Sequence, residues 1–393
     1  MSIDIIYISN YIDENTAARR NIKEYSHAAN IKILNFALSL KPWKKVIILS
    51  TGRGGRAENF NFHNPFILKI SGIPVCYAAF CYFSWIGYLL SAVSLASWVL
   101  RLYCKYPKAV FIIYNRRPIY LLAIFLIFIL RSRCYLDLED GGSEFRTQGF
   151  VQRLLDYTLV KIFDRICASG AIIACEYLRR ETRIEKTMPY YGVLLAKKNT
   201  ELRNWGKGKL LVIFGGSLRE ESGTRIFMEA VSLLHTKHQE VANQYLFLIT
   251  GLGSLAGTLD VFSKQFEKRY IIFKGNVSGP DFHNLMNVGH IGLNLRDRIF
   301  PMAHNTFPSK VMDITRYGQL LISTNTSDVL KIFNRKYVLI LNDSNPTDSL
   351  VEQLVWVAKH RQIAEEMAKS NQMDMLDRFS LSKTASDIIK FVR

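Results

Sequence analysis

Short apolar runs that read as strands alternate along the whole chain with longer segments of helical periodicity. In the first half these runs are residues 3–8, 46–49, 110–114, 135–138 and 165–168; in the second they are 210–214, 245–249, 270–273, 291–295, 320–323 and 338–341. Strands that are apolar at nearly every position are covered on both faces, the condition of a parallel sheet flanked by crossover helices. The pattern therefore predicts an α/β protein with two such sheets. Residues 196–209 (AKKNTELRNWGKGK) interrupt it with a polar, charged, glycine-containing sequence of the kind that joins domains, giving expected domains of residues 1–195 and 208–393. Helical patterns over 349–369 and 380–392 close the chain.

Two apolar runs break the regular spacing. Residues 70–100 carry no charge, include Phe80, Tyr82, Phe83, Trp85, Tyr88 and Trp98, and are long enough to cross a bilayer. Gly72, Pro74, Gly87 and the serines 84, 91, 94 and 97 inside the run, with strand patterns resuming on both sides, stand against a span and fit core elements or an interfacial surface better. Residues 118–130 are too short to span and fit a buried crossover helix.

Charge bears on the partner. The chain carries 51 Lys and Arg against 33 Asp and Glu, a formal net charge of +18. Between Lys41 and Arg133, Glu58 alone offsets thirteen cations. Cations beside an aromatic-rich apolar run suit an anionic membrane surface better than nucleic acid, because a base-stacking platform needs its aromatics exposed among the cations. The first residues lack the pattern of a secretory signal, so the expected position is cytoplasmic, peripheral on the inner face of the membrane. Cys76, Cys81, Cys104, Cys134, Cys167 and Cys175 form no metal-ligand pair and read as thiols in a reducing compartment; no metal or other cofactor is expected.

In open parallel sheets ligands bind beyond the carboxyl ends of the strands, and three such positions carry chemistry. Phe214-Gly215-Gly216-Ser217-Leu218-Arg219 leads from an apolar strand toward a helix beginning near Thr224. Paired glycines let backbone approach an anion, and a helix N-terminus turns partial positive charge toward it, although a plain chain reversal has the same pattern. Asn305-Thr306-Phe307-Pro308-Ser309-Lys310-Val311-Met312-Asp313 starts another helix, with Lys310 as a cation for phosphate and Asp313 one turn on, able to accept ribose hydroxyls or simply to face solvent. Asp137-Leu138-Glu139-Asp140-Gly141-Gly142 places three carboxylates after a strand, as a site or as a charged turn offsetting Arg131 and Arg133.

The Phe307-Pro308-Ser309-Lys310 sequence followed by Asp313, Gly318 and an apolar strand, preceded by the paired glycines, by Thr250-Gly251-Leu252-Gly253 and by Lys274-Gly275-Asn276-Val277, resembles the donor-binding half of family 4 glycosyltransferases of the bacterial surface-polysaccharide type. The resemblance covers residues 209–330 and implies the GT-B fold, two Rossmann-like domains facing a central cleft, with the last helix able to cross back to the first domain. It implies a nucleotide-sugar donor in the second domain, touched by Gly215, Gly216, Ser217, Arg219, Asn305, Ser309, Lys310 and Asp313, with Asp313 on the ribose. Lys310, acting on the leaving diphosphate, and Glu139 and Asp140, lying near a lipid-linked oligosaccharide or polysaccharide acceptor, would be the catalytic residues. Transfer would retain anomeric configuration without a metal. The sequence departs from the family where Asn305 replaces the first of two glutamates and where Ser217 and Ser222 replace an Arg and a Lys, charges that Arg219 or Arg225 could supply. A nucleotide-sugar epimerase of the same architecture and a non-catalytic membrane-associated scaffold are the alternatives: the first needs no basic apolar surface, and the second binds no nucleotide.

Overall fold

The computed structural model describes residues 4–22, 25–53, 62–81, 84–140, 150–195 and 203–393. Gly141 and Gly142 of the acidic loop, Tyr82, Phe83, Glu58 and residues 196–202 of the linker lie outside the described residues. The chain forms two compact units, Met1–Val193 with Leu381–Arg393, and Leu194–Ser380.

The first unit runs β1 (Ile5–Ser9), α1 (Glu14–Arg19), α2 (His27–Leu40), β2 (Val46–Ser50), β3 (Phe66–Ile70), β4 (Ile73–Tyr77), α3 (Ser84–Lys105), β5 (Val110–Tyr114), α4 (Leu121–Ile129), β6 (Cys134–Leu138), α5 (Phe150–Ile166), β7 (Gly170–Ile173) and β8 (Thr187–Pro189). Its strand order is β3-β4-β2-β1-β5-β6-β7-β8. All pairings are parallel except the β3–β4 hairpin. β1, β2, β5 and β6 are buried at every position, which is why they read as unbroken apolar runs. Helix caps follow side-chain chemistry: Asp13 accepts from the Thr16 amide and Ser26 from the Ala29 amide.

The second unit runs β9 (Leu210–Ser217), α6 (Thr224–Lys237), α7 (Gln239–Ala242), β10 (Tyr245–Leu252), α8 (Ala256–Ser263), β11 (Ile271–Gly275), α9 (Gly279–Val288), β12 (Ile291–Asn294), α10 (Met302–Asn305), α11 (Lys310–Arg316), β13 (Leu320–Ser323), α12 (Val329–Ile332), β14 (Leu339–Ile340), α13 (Pro346–Lys359) and α14 (Arg361–Arg378). Its all-parallel sheet has the order β11-β10-β9-β12-β13-β14. Phe214, Phe227 and Phe247 stack across the β9–α6 layer at the centre of its core.

Three sequence expectations are corrected. Residues 165–168 are the end of α5 and the turn after it; the strand is Gly170–Ile173, four fully buried residues whose glycine start hid the apolar run. The uncharged run 70–100 is not one element: its first part forms β4, paired through Ile73–Tyr77 with β3, and its last part belongs to α3. The domain bound 208–393 is too long: the C-terminal helix α15 (Leu381–Phe391) packs on α2 in the first unit, the crossing back that the resemblance allows. There the Phe391 ring lies 5.7 Å from that of Tyr135 and fills the space over Gly170, where a Cβ would stand 2.8 Å from it. Lys186 donates to the Phe391 carbonyl at 2.6 Å, and Arg133 to that of Arg393 at 2.6 Å.

Phe391→Ala removes this contact, so a loss of about 3 to 5 kcal/mol is expected in urea unfolding followed at the first unit. A loss below about 1 kcal/mol would mean that α15 contributes nothing as an anchor.

Candidate functional site

In the second unit β9, β10 and β11 succeed one another to one side, and the chain then returns to place β12 on the other side of β9. The carboxyl ends of β9 and β12 therefore flank the switch point of the sheet, where such folds leave a crevice. Gly215, Gly216 and Ser217 are not a loop, as the sequence suggested, but the last residues of β9, in register with Thr250, Gly251 and Leu252 of β10. The strands run side by side to this point because Gly251 has no side chain: with φ at +137°, a Cβ there would lie 1.8 Å from the Gly216 carbonyl oxygen. Gly223, at φ +77°, closes on the Leu295 carbonyl just after β12 in the same way and starts α6 at Thr224.

Lys310, the first residue of α11, is half-buried and reaches this edge: a methyl placed on Gly216 would lie 3.8 Å from its Nζ. Its ammonium makes no ion pair among the described residues. Burial, followed by the charge of Arg296, pushes its pKa down to about 8. Arg296, which the sequence reading missed, follows β12 and donates to the Met302 carbonyl at 3.1 Å and to the Thr306 carbonyl and hydroxyl at 3.0 and 2.7 Å. It thereby fixes the segment that delivers Ser309 and Lys310. Asp313, one turn along α11, is also half-buried; burial raises its pKa to about 6 against the lowering effect of Arg316. It makes no side-chain hydrogen bond among the described residues.

The other candidate donor residues divide. Ser217 and Ser309 are exposed, whereas Asn305 is 2% exposed within α10. Arg219 is exposed and 3.8 Å from Glu221, and Arg225 is held by Glu220 at 2.5 Å, so neither stands as an unpaired replacement for the family's glycine-loop cations.

In the first unit Glu139 and Asp140 leave the carboxyl end of β6 beside Asn115, which follows β5. Asn115 Oδ1 accepts from the Glu139 and Asp140 amides at 2.7 and 3.4 Å, and its Nδ2 donates to the Asp140 carboxylate at 3.2 Å. Glu139 is ion-paired with Lys32 of α2, while Asp140 is exposed. Asp137 belongs to the core: fully buried, it accepts from the Tyr7 hydroxyl and lies 3.9 Å from Lys32. Burial raises the Asp137 carboxyl above its ordinary value. Burial alone would lower the Lys32 ammonium, but Glu139 and Asp137 outweigh it and hold it above its usual value. Among the described residues, no group of three His, Cys, Asp or Glu is arranged to hold a metal ion.

Residues 235–390 match the family described as Glycosyl transferase-like. No curated protein matches the chain by sequence. Among solved structures, the chain is similar to the α,α-trehalose 6-phosphate synthase of Burkholderia multivorans, with a TM-score of 0.68 at 10% identity over 100% of this chain and 97% of that one. It is similar to the sucrose-phosphate synthase of Thermosynechococcus elongatus, with a TM-score of 0.66 at 11% identity over 99% and 98%. The Anabaena protein HepE, solved with UDP and glucose, gives a TM-score of 0.65 at 13% identity over 99% and 98%. At these identities the likeness establishes the fold: two Rossmann-like α/β domains of the GT-B class.

The raised Asp313 pKa has a consequence for the ligand-free protein. A carboxyl whose folded pKa exceeds its unfolded value of about 3.9 costs the fold stability above pH 6, and the cost vanishes below about pH 4. Asp313→Asn should therefore raise the melting temperature at pH 7 and leave it unchanged at pH 4. Equal melting temperatures at pH 7 would show that the carboxylate is not strained.

Proposed function

We propose that the protein is a glycosyltransferase that takes its sugar from a nucleotide-sugar donor held in the second unit. The observation that carries the reading is Lys310: an unpaired ammonium among the described residues, half-buried beside the glycine edge of β9 and β10 at the switch point of a sheet. Leaving a cation there without a counter-ion costs stability, and an anionic ligand removes that cost. A nucleoside diphosphate fits the surroundings: Gly216 lets it approach backbone, Ser217, Arg219 and Ser309 are open to it, and Asp313 is spaced one turn from Lys310 to accept ribose hydroxyls. Asn305 is the less direct candidate, because it reaches a donor only if α10 shifts.

In glycosyl transfer the costly event is negative charge growing on the departing diphosphate as the sugar becomes oxocarbenium-like. Lys310 and the backbone amides beside it stabilise that charge without a metal. Glu139 and Asp140 are proposed to face the acceptor hydroxyl, with Lys32 and Asn115 fixing the loop that carries them. The acceptor is proposed to be a lipid-linked oligosaccharide or polysaccharide presented by the basic, apolar first unit at the cytoplasmic face of a membrane. Retention of configuration is part of the same reading, supported by the sequence pattern around Lys310 and Asp313.

A thermal-shift series with uridine, guanosine and thymidine diphosphates should single out one base by a rise in melting temperature that grows with ligand concentration. With that donor, Lys310→Ala should lower kcat by about a hundredfold or more and donor affinity by less, because the charge it meets is largest in the transition state. Donor binding to the wild type should also weaken as pH rises through 8, where the ligand-free ammonium loses its proton, and Lys310→Ala should abolish that dependence. No response to any nucleotide would favour the scaffold, and release of a free epimer without acceptor would favour the epimerase.

A further inference from the structure

The first unit carries an apolar plateau that its own fold leaves uncovered. β4 leads through α3 to β5, β5 through α4 to β6, and β6 through α5 to β7, each step moving the same way across the sheet. Right-handed crossovers put all three helices on one face, and α4 packs between α3 and α5. Their inner sides fill the core with Leu95, Val99, Ile124, Ile127 and Phe163. Their outer sides are also apolar: Trp85, Leu89 and Val93 on α3, Phe125 and Ile129 on α4, and Leu155 on α5 are exposed, Trp85 by 70% and Phe125 by 58%. Surface helices of a soluble layer normally turn polar residues outward, and contiguous apolar patches of this kind mark contact surfaces.

Charge at the border selects the partner. No acid lies on α3 or α4. Both helices end at the same edge of the sheet, where Arg101, Lys105, Lys108, Arg131 and Arg133 are exposed together. Arg101 lies 5.7 Å from the Trp98 ring and Lys105 5.4 Å from the Tyr106 ring, aromatic and cationic groups side by side as at a headgroup boundary. A second copy of the chain meeting this face edge to edge would bring like charges together.

We infer that the outer face of α3, α4 and α5 is a monotopic docking surface for an anionic lipid bilayer, entered side-on to headgroup depth and not crossed. α3 is long and apolar enough to span, with a mean hydropathy of 1.4 over its most apolar window, but it is held to the unit by its inner side. Ser91 Oγ donates to the Ala79 carbonyl at 2.9 Å, Ser94 Oγ accepts from the Ala79 amide at 2.8 Å, and Arg53 donates to Ser91 at 3.1 Å. A spanning α3 would strip those bonds and uncover the sheet. The inference rests on the proposed lipid-linked acceptor only for its purpose; lipid binding is read without donor, so its failure and failure of the sugar chemistry are separate results.

The test uses the full chain with vesicles of phosphatidylcholine alone or mixed with phosphatidylglycerol, sedimented at low salt. Binding to the anionic vesicles at least about tenfold above the neutral ones, reversed by high salt or carbonate, is the expected result. Leu89→Glu with Phe125→Glu should abolish it, and Arg101→Glu with Lys105→Glu should lower it about tenfold or more, while circular dichroism and nucleotide binding stay as in the wild type. Because both pairs are exposed side chains, loss of binding without loss of fold is readable; should one pair misfold, the other decides. Three results overturn the inference: no preference for anionic vesicles, binding unchanged by Leu89→Glu with Phe125→Glu, or retention through salt and carbonate, which belongs to a span. A lipid-free dimer that the same two substitutions split would assign the face to a second copy instead.

Discussion

The second unit depends on backbone touching backbone. Gly216 of β9 and Gly251 of β10 pair with no space for a side chain between the Gly251 Cα and the opposite carbonyl, and Gly253 closes on Leu218 in the same manner. Any other residue at Gly251 would need the register from Leu210 to Ser217 to part, because a carbonyl within a sheet cannot rotate aside. This constraint carries β9 and β10 to their full length of eight residues each and brings their ends within reach of Lys310. The crevice is thus defined by what is absent; Lys310, half-buried beside it, makes no ion pair among the described residues, and Asp313, one turn on, makes no side-chain hydrogen bond among them. Their opposite pKa displacements share removal from water as the largest cause, added to by Arg296 at Lys310 and opposed by Arg316 at Asp313, and both relax when a ligand supplies the missing charge or hydroxyl groups.

The parallel sheets were legible because strands covered on both faces have to be apolar throughout, and most runs recognised in the sequence overlap observed strands. The failures have local reasons. Gly170 opens β7 and contributes no apolar side chain, so the preceding helix end, with Ile166 and Cys167, looked more strand-like. β3 is exposed along its middle three residues and carries Lys69, which removes the signature of burial. The site was read in part. Lys310 and Asp313 stand three residues apart on one helix, and local spacing conveys that. Lys32 could not be found this way: it lies 107 residues from Glu139, and α2 and β6 meet only once the sheet has formed. Arg296 escaped notice because its partners are uncharged oxygens at the two ends of the short helix α10, on Met302 and Thr306, which no charge pattern marks. Asp137 shows the reverse error, for three carboxylates in four residues look alike until the strand boundary separates them: Asp137 lies inside β6, buried beside Tyr7, while Glu139 and Asp140 follow its end.

The carboxylates of that loop are separated by environment rather than by residue type. Asp137 is spent on Tyr7 and Lys32, Glu139 shares Lys32, and Asp140 remains at the surface with Asn115 beneath it. Asn115 holds this position at φ +57°, a conformation asparagine tolerates better than most residues, and from there one side chain orders two successive amides. A pair of strand ends has become a rigid mount for an exposed acid.

The return of α15 to the first unit has a consequence for how the chain is made. The second unit is one continuous stretch, Leu194–Ser380, and can complete its core as soon as that stretch has emerged from the ribosome. The first unit cannot, although its strands are synthesised earlier, because the ring that covers Gly170 and the carbonyl that Arg133 binds belong to the final turn of the chain, in the latter case 260 residues downstream. Contacts so distant in sequence close last. During synthesis the first unit therefore lacks one helix of its surface until the later half has been translated.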